Sequence, residues 1–320
     1  MKAKLKTILI AVSGILIVAY LGMSYIFSSM IITPYRLDME GSKAKIEEKW
    51  NNSIDHYLDR LAEPENFVLT SEVDQIKLKG WYFKQPDTTR CGVVMAHGWN
   101  NNRTGLLKYA SIFWECGCDL VMYDHRGHFQ SGGEYGTGGV KEKQDLITVT
   151  NWFQEKTGLT DAETGWFGES WGGATVLQAG GLDKDVAWII ADAPFQDWYT
   201  AIFERADRRF GSGVRRLFGP TVMWMVSQRV GVDYREASAL NAAPNIVEPV
   251  LINHSKTDTK TASRQSANIS AKLSKEQSSF HHAEWGADHC LDAIINPEGY
   301  KKMVLDFIQK NTAHFGAACL

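Results

Sequence analysis

Short apolar runs alternate with stretches of helical periodicity along most of this chain, and that alternation constrains its fold more than any other feature. The runs fall at 92–96, 119–123, 165–168, 186–192, 250–253 and near 280–285. The helical stretches fall at 105–115, 140–156, 171–179, 261–273 and 298–309. Strands that alternate with helices build crossover units and a parallel sheet. Ahead of them, 66–70 and 76–83 alternate polar and apolar residues, as an antiparallel pair does. Between residues 192 and 250 the rhythm breaks for two helical patterns, 198–210 and 219–230. That insertion is large enough for a small helical cap. No internal repeat or low-complexity tract interrupts the chain.

The N-terminus is different. No residue from Thr7 to Pro34 is charged, and 7–32 is mostly Ile, Leu, Val, Ala, Met and Phe. About 20 apolar residues span a bilayer. Lys2, Lys4 and Lys6 precede the run, and Arg36, Asp38 and Glu40 follow it. The positive-inside rule then sets the N-terminus in the cytoplasm and the bulk of the chain outside, as a single-pass protein of the cell membrane. The competing reading is a cleaved signal peptide. It asks for a shorter apolar stretch and a convincing small-x-small cleavage site, and neither is present. A buried helix of a soluble domain would show a polar face. Residues 41–61 carry Ile46, Trp50, Ile54, Tyr57, Leu58 and Leu61 at helical spacing and read as a juxtamembrane helix. The expected organisation is an anchor over 1–36, a juxtamembrane segment over 37–65, a domain over 66–312 with its cap insertion at about 195–246, and a tail over 313–320.

A length of 320 residues suits one large α/β domain. Lys and Arg total 34 against 37 Asp and Glu. Without a basic excess, nucleic acid is excluded as an expected partner. The five cysteines, Cys91, Cys116, Cys118, Cys290 and Cys319, are odd in number and form no C-x-x-C pair. They signal neither a zinc ribbon nor a disulfide framework. An exported domain could oxidise one pair, which the sequence does not choose.

Gly168-Glu169-Ser170-Trp171-Gly172 sits between an apolar strand and a helix start. A serine at such a bend holds its side chain clear of the sheet as a nucleophile. It needs a base, and the base needs an orienting acid. Asp258 follows the run at 250–253, and His289 follows the run near 280–285. Both are expected on loops at the strands' carboxyl ends, where open α/β sheets collect ligands. The bland alternatives are a helix-capping role for Asp258 and a structural role for His289. Asp288 and Asp292 are the neighbouring acids, and His254 at a strand end reads as structural. Two backbone N–H groups should bind the oxyanion. One belongs to Trp171. The other belongs to Trp99 on the loop after 92–96, with Asn100 as the near alternative, while His97 holds that loop. His125, His128, His281 and His282 fit no metal-site spacing, and the expectation is no metal and no cofactor.

His97-Gly98, Asp124-His125-Arg126-Gly127, the pentapeptide, His254-Ser255-Lys256-Thr257-Asp258 and Ala287-Asp288-His289 stand in the order seen in α/β-hydrolases. The chain resembles the serine-aminopeptidase-like and prolyl-oligopeptidase-like branch in its bacterial N-terminally anchored form. The resemblance covers roughly 66–312. It implies an eight-strand, mostly parallel sheet and a cofactor-free Ser170–Asp258–His289 mechanism. The first expectation is cleavage of carboxylic esters through an acyl-enzyme. The same triad cutting amides as an aminopeptidase would need an acidic group for the substrate α-amine, and the insertion is Arg-rich instead. A non-catalytic membrane-tethered binding protein would have no need of all three groups. Residues 217–226, with Met223 and Trp224, are apolar nearly throughout. Either they pack the cap, or they line a groove above Ser170 that takes acyl chains, with the arginines around it receiving an anionic group.

Overall fold

In the computed structural model, residues 2–87, 91–182, 185–274, 276, 278–312 and 315 are described, and their strands form one eight-stranded sheet. These are β1 (Glu65–Thr70), β2 (Lys77–Phe83), β3 (Gly92–Ala96), β4 (Asp119–Tyr123), β5 (Thr164–Glu169), β6 (Trp188–Asp192), β7 (Val250–Ser255) and β8 (Ser279–Ala283). Their spatial order is β1-β2-β4-β3-β5-β6-β7-β8. Only β2 runs against the rest. The helices are α1 (Lys2–Ile32), α2 (Met39–Trp50), α3 (Ile54–Leu58), α4 (Leu107–Trp114), α5 (Glu142–Thr157), α6 (Trp171–Gly180), α7 (Trp198–Phe210), α8 (Ser212–Val230), α9 (Ala239–Ala242), α10 (Arg264–Ser270), α11 (Asp292–Ile295) and α12 (Pro297–Asn311).

The central strands are apolar without alternation because both faces are covered. Val93, Met95 and Met122 bury against Phe113 of α4 and Val304 and Ile308 of α12. Val94, Val121 and Ile252 bury on the other face with Leu146 and Val149 of α5 and Val176 of α6. Glu169 of β5 pairs with Asp192 of β6, and Asp192 pairs with Asn253 of β7. The loops that follow these strands therefore leave the sheet side by side.

Three expectations are refined. The helix over 41–61 is two helices. Asn51 after Trp50 adopts a left-handed conformation (φ 51°), and Ser53 caps the second by accepting His56 N–H. The second helix of the insertion starts at Ser212, not 219, and passes through Pro220. A proline removes one helical hydrogen bond, and burial of Val222 and Val226 with Trp171 and Trp198 offsets that loss. Cys91 and Cys118 form a disulfide with their Cα atoms 4.6 Å apart. Gly92 and Asp119 are paired in neighbouring parallel strands, so the residues just before them meet. Cys319 lies outside the described residues, and of the tail over 313–320 only Phe315 is described, packed on Trp188.

α1 carries exposed apolar side chains on all sides along its first two-thirds, among them Leu9, Ile15 and Val18. Its last turns dock on α8. Tyr20 donates its hydroxyl to Leu217 O, and its ring stacks on Phe218. Arg229 donates to Ser28 Oγ and Ser29 Oγ at 2.8 and 2.7 Å. The chain then stays attached. Gly136 N–H bonds Ile32 O, and Arg36 donates to the carbonyls of Phe129, Ser131 and Gly133.

Candidate active site

Ser170 links β5 to α6 with φ 52° and ψ −108°, a backbone conformation rare for a residue with a side chain. The turn is tight enough to require its glycines. A Cβ on Gly168 would sit 2.3 Å from Gly172 O, and one on Gly172 would sit 2.0 Å from Ala96 O. Strain at the bend lifts the serine hydroxyl off the sheet edge, where His289 meets it. His289 Nε2 is 2.7 Å from Ser170 Oγ, and His289 Nδ1 is 2.5 Å from Asp258 Oδ2. A carboxylate only accepts, so Nδ1 carries the ring proton. The lone pair on Nε2 then faces Ser170, whose hydroxyl donates to it.

Asp258 is the hub of this cluster, and its side chain is fully buried. Oδ2 also accepts His254 Nε2–H at 3.0 Å. Oδ1 accepts the backbone N–H groups of Lys260 and Thr261 at 2.7 and 2.9 Å. Burial alone would raise its pKa. The hydrogen bonds from His254 and His289 and from the Thr261 N–H outweigh burial and hold the carboxyl well below the usual range. His254 is anchored from its other side by Ser266 Oγ at 2.7 Å from Nδ1. Its link to the acid escaped sequence analysis because four residues on a strand and its loop carry no fixed geometry. Asp288 turns away and accepts Thr259 N–H and hydroxyl. Asp292 accepts from Asn253, which also donates to Asp192.

The two expected oxyanion donors flank the serine. Trp171 is the first residue of α6, where a helical N–H has no intrahelical partner. Trp99 lies on the loop after β3. That loop presses on the nucleophile, since a Cβ on Gly98 would contact Ser170 Cβ at 3.4 Å. The two indoles pack on each other with centroids 4.4 Å apart. His97 holds the loop as expected of it, with Nδ1 2.8 Å from Gly98 O and Nε2 accepting His125 N–H at 3.0 Å. Burial keeps its ring neutral. Asn100, the alternative donor, fastens the same loop: its Oδ1 accepts Tyr35 N–H at 2.7 Å, and its O accepts Lys45 Nζ at 3.2 Å. The segment after α1 and the helix α2 therefore brace this loop.

Glu169, the residue before the nucleophile, was not singled out by sequence analysis. Oε2 lies 2.5 Å from Lys108 Nζ, and Oε1 accepts from Gly98 N–H and Asn101 Nδ2. Burial opposes its ionisation, but the Lys108 charge and the neighbouring donors hold its pKa below normal. The available signal was two lone charges, Glu169 and Lys108, in otherwise apolar segments. Of the histidines weighed for metal, His125 and His128 pack edge-on against His97, His281 bonds Asn253 and His282 bonds Ser263.

A cavity of about 650 Å³ opens over Ser170 and His289. Its apolar walls come from α7, α8 and the end of α1, with Phe27, Met30, Phe203, Phe218, Val222 and Met223 among them. Met223 is buried in this wall. Trp224 is not. It is 59% exposed and absent from the lining. Val222 and Met223 face the cavity, and the next step of about 100° around α8 carries Trp224 off that wall.

This sheet order, strained serine elbow and insertion after β6 define an α/β-hydrolase. The chain belongs to the X-Pro dipeptidyl-peptidase (S15) family, whose model matches residues 30–212, and is a hydrolase of that fold. It is 30% identical over 309 residues to the uncharacterized protein YqkD of Bacillus subtilis strain 168, covering 95% of this chain and 97% of that one. The esterase Pf2001 of Pyrococcus furiosus superposes with a TM-score of 0.64 at 21% identity, over 78% of this chain and 93% of its own. An acylaminoacyl peptidase of Pyrococcus horikoshii superposes with a TM-score of 0.61 at 19% identity, over 83% and 45%.

Proposed function

We propose that the protein is a membrane-anchored serine hydrolase that cleaves carboxylic esters. The observation that carries this is the unbroken hydrogen-bond chain Ser170–His289–Asp258 at the elbow. Ser170 Oγ attacks the ester carbonyl as its proton passes to His289 Nε2. Asp258 stabilises the imidazolium, and the N–H groups of Trp99 and Trp171 take the oxyanion. The alcohol leaves with the proton from His289. Water then splits the acyl-enzyme and restores the serine.

The cavity favours esters over peptides with a free amino terminus. Its sole acidic lining residue among those described is Glu169, whose oxygens are taken by Lys108, Gly98 and Asn101. Nothing acidic is left for an α-amine, and the lysines and arginines of the lining repel one. Its apolar walls suit an acyl chain, at about 0.8 kcal/mol per buried CH₂. kcat/KM should therefore rise by up to about tenfold per pair of carbons from acetate to octanoate in p-nitrophenyl esters, with aminoacyl anilides far behind. A fluorophosphonate probe should label the wild type and spare Ser170→Ala. Equal labelling of both, or anilides turned over faster than esters, would sink this assignment.

Among the described residues α1 is the one helix long and apolar enough to cross a bilayer, and it serves in this proposal as the anchor. The Cys91–Cys118 disulfide supports an oxidising, extracytoplasmic setting for the catalytic domain. Carbonate should leave the protein in the membrane, and protease added to spheroplasts should digest that domain. A domain protected until lysis would reverse the topology.

A further inference from the structure

The anchor does more than tether. α1 has 31 residues, about 46 Å of helix, against a hydrocarbon core of about 30 Å. If the crossing begins at Thr7, the core ends near Ile26. Phe27, Met30 and Ile31 then stand at headgroup level, and all three line the cavity over Ser170. α8 is fastened to α1 at Tyr20, inside that span, and about two turns further on at Ser28 and Ser29, beside Phe27 and Met30. Its Leu217 is exposed near Tyr20 and its Trp224 is exposed further along the helix, as side chains of an interfacial belt are.

The charge of the cavity is one-sided. Lys45, Lys49, Arg205, Arg209, Arg215 and Lys260 line it along with the Lys108–Glu169 pair. Arg215 is bonded to Asp207. Among the described residues no carboxylate forms an ion pair with Lys45, Lys49, Arg205 or Arg209. A soluble ester would need neither an interfacial wall nor a set of cations without ion-pair partners.

We infer that the substrate is an anionic acyl lipid taken from the leaflet beneath α7 and α8. Its acyl chain would lie against Phe27, Met30, Phe218 and Met223, and its anionic headgroup against Lys49, Arg205 and Arg209. This rests on the ester hydrolase assignment. The ester C–O bond breaks as the Ser170 acyl bond forms, the headgroup alcohol leaves protonated, and water releases the fatty acid.

The test uses the full-length protein in vesicles of non-hydrolysable phosphatidylcholine diether. They carry either lysophosphatidylglycerol or lysophosphatidylcholine of equal chain length, and water-soluble p-nitrophenyl acetate serves as reference. kcat/KM for the anionic lysolipid should exceed that for the zwitterionic one by about tenfold, the scale of a few partly screened charge contacts. Arg205→Gln with Arg209→Gln should bring that ratio towards one. Phe27→Ala with Met30→Ala should lower lysolipid turnover far more than p-nitrophenyl acetate turnover. Equal rates on the two headgroups overturn the inference. So does a Phe27/Met30 variant that loses both activities alike, or a short soluble anionic ester preferred over the vesicle-borne one. If the wild type fails on p-nitrophenyl acetate too, the ester hydrolase assignment itself falls.

Discussion

Asp258→Asn tests the hub of the site, because the structure leaves an amide no good orientation there. The carboxylate accepts four hydrogen bonds, two at each oxygen: His289 and His254 at Oδ2, and the N–H groups of Lys260 and Thr261 at Oδ1. An amide has one acceptor oxygen and one donor nitrogen. With nitrogen towards the histidines it faces two N–H donors, and His289 must shift its proton to Nε2, where it can no longer accept from Ser170. With oxygen towards the histidines, the nitrogen opposes the two backbone donors. Either way two charge-assisted bonds in a buried place are lost, about 3–5 kcal/mol, or roughly 6–15 °C in melting temperature for a domain of this size. kcat for p-nitrophenyl butyrate should fall by about 10⁴, as for the tautomer defect of a serine protease. The pH profile adds a sign. The Asp258 pKa is lowered by folding, so its stabilisation is present above the unfolded value near 4 and is lost as pH falls through the folded one. The stability gap between wild type and variant should narrow below about pH 4. A variant within tenfold of wild-type kcat, with an unchanged melting curve, would move the acid elsewhere, with Asp288 and Asp292 next to test.

Four further substitutions probe the geometry. Gly172→Ala places a Cβ 2.0 Å from Ala96 O, and the oxyanion loop has to retreat by about 1 Å. kcat should fall about 10²-fold while Gly213→Ala, whose Cβ meets nothing within 4 Å, changes kcat less than twofold. Equal kinetics in the two variants would contradict the tight elbow. Met223→Ala should flatten the rise of kcat/KM with acyl length, and Trp224→Ala should not. The reverse pattern would place Trp224 on the cavity after all.

Sequence alone determined the elements whose signals are local. Period-2 and period-3.6 patterns name strands and helices from neighbouring residues. Glycines at 168 and 172 mark a tight turn, and Ser170, Asp258 and His289 each follow an apolar run. In a parallel sheet every such loop emerges at the same edge, so chain order was enough to nominate the three together. Tertiary structure decided what depends on segments far apart in the chain. Cys91 meets Cys118 because β3 and β4 are in register. Glu169 finds Lys108, 61 residues away. Arg229 of α8 holds Ser28 of α1 across 201 positions and helps make the end of α1 a wall of the cavity. Met223 and Trp224 are both large and apolar, and only the way α8 packs chose which one lines that cavity. Periodicity reports that a helix has an apolar side, but not what that side will face.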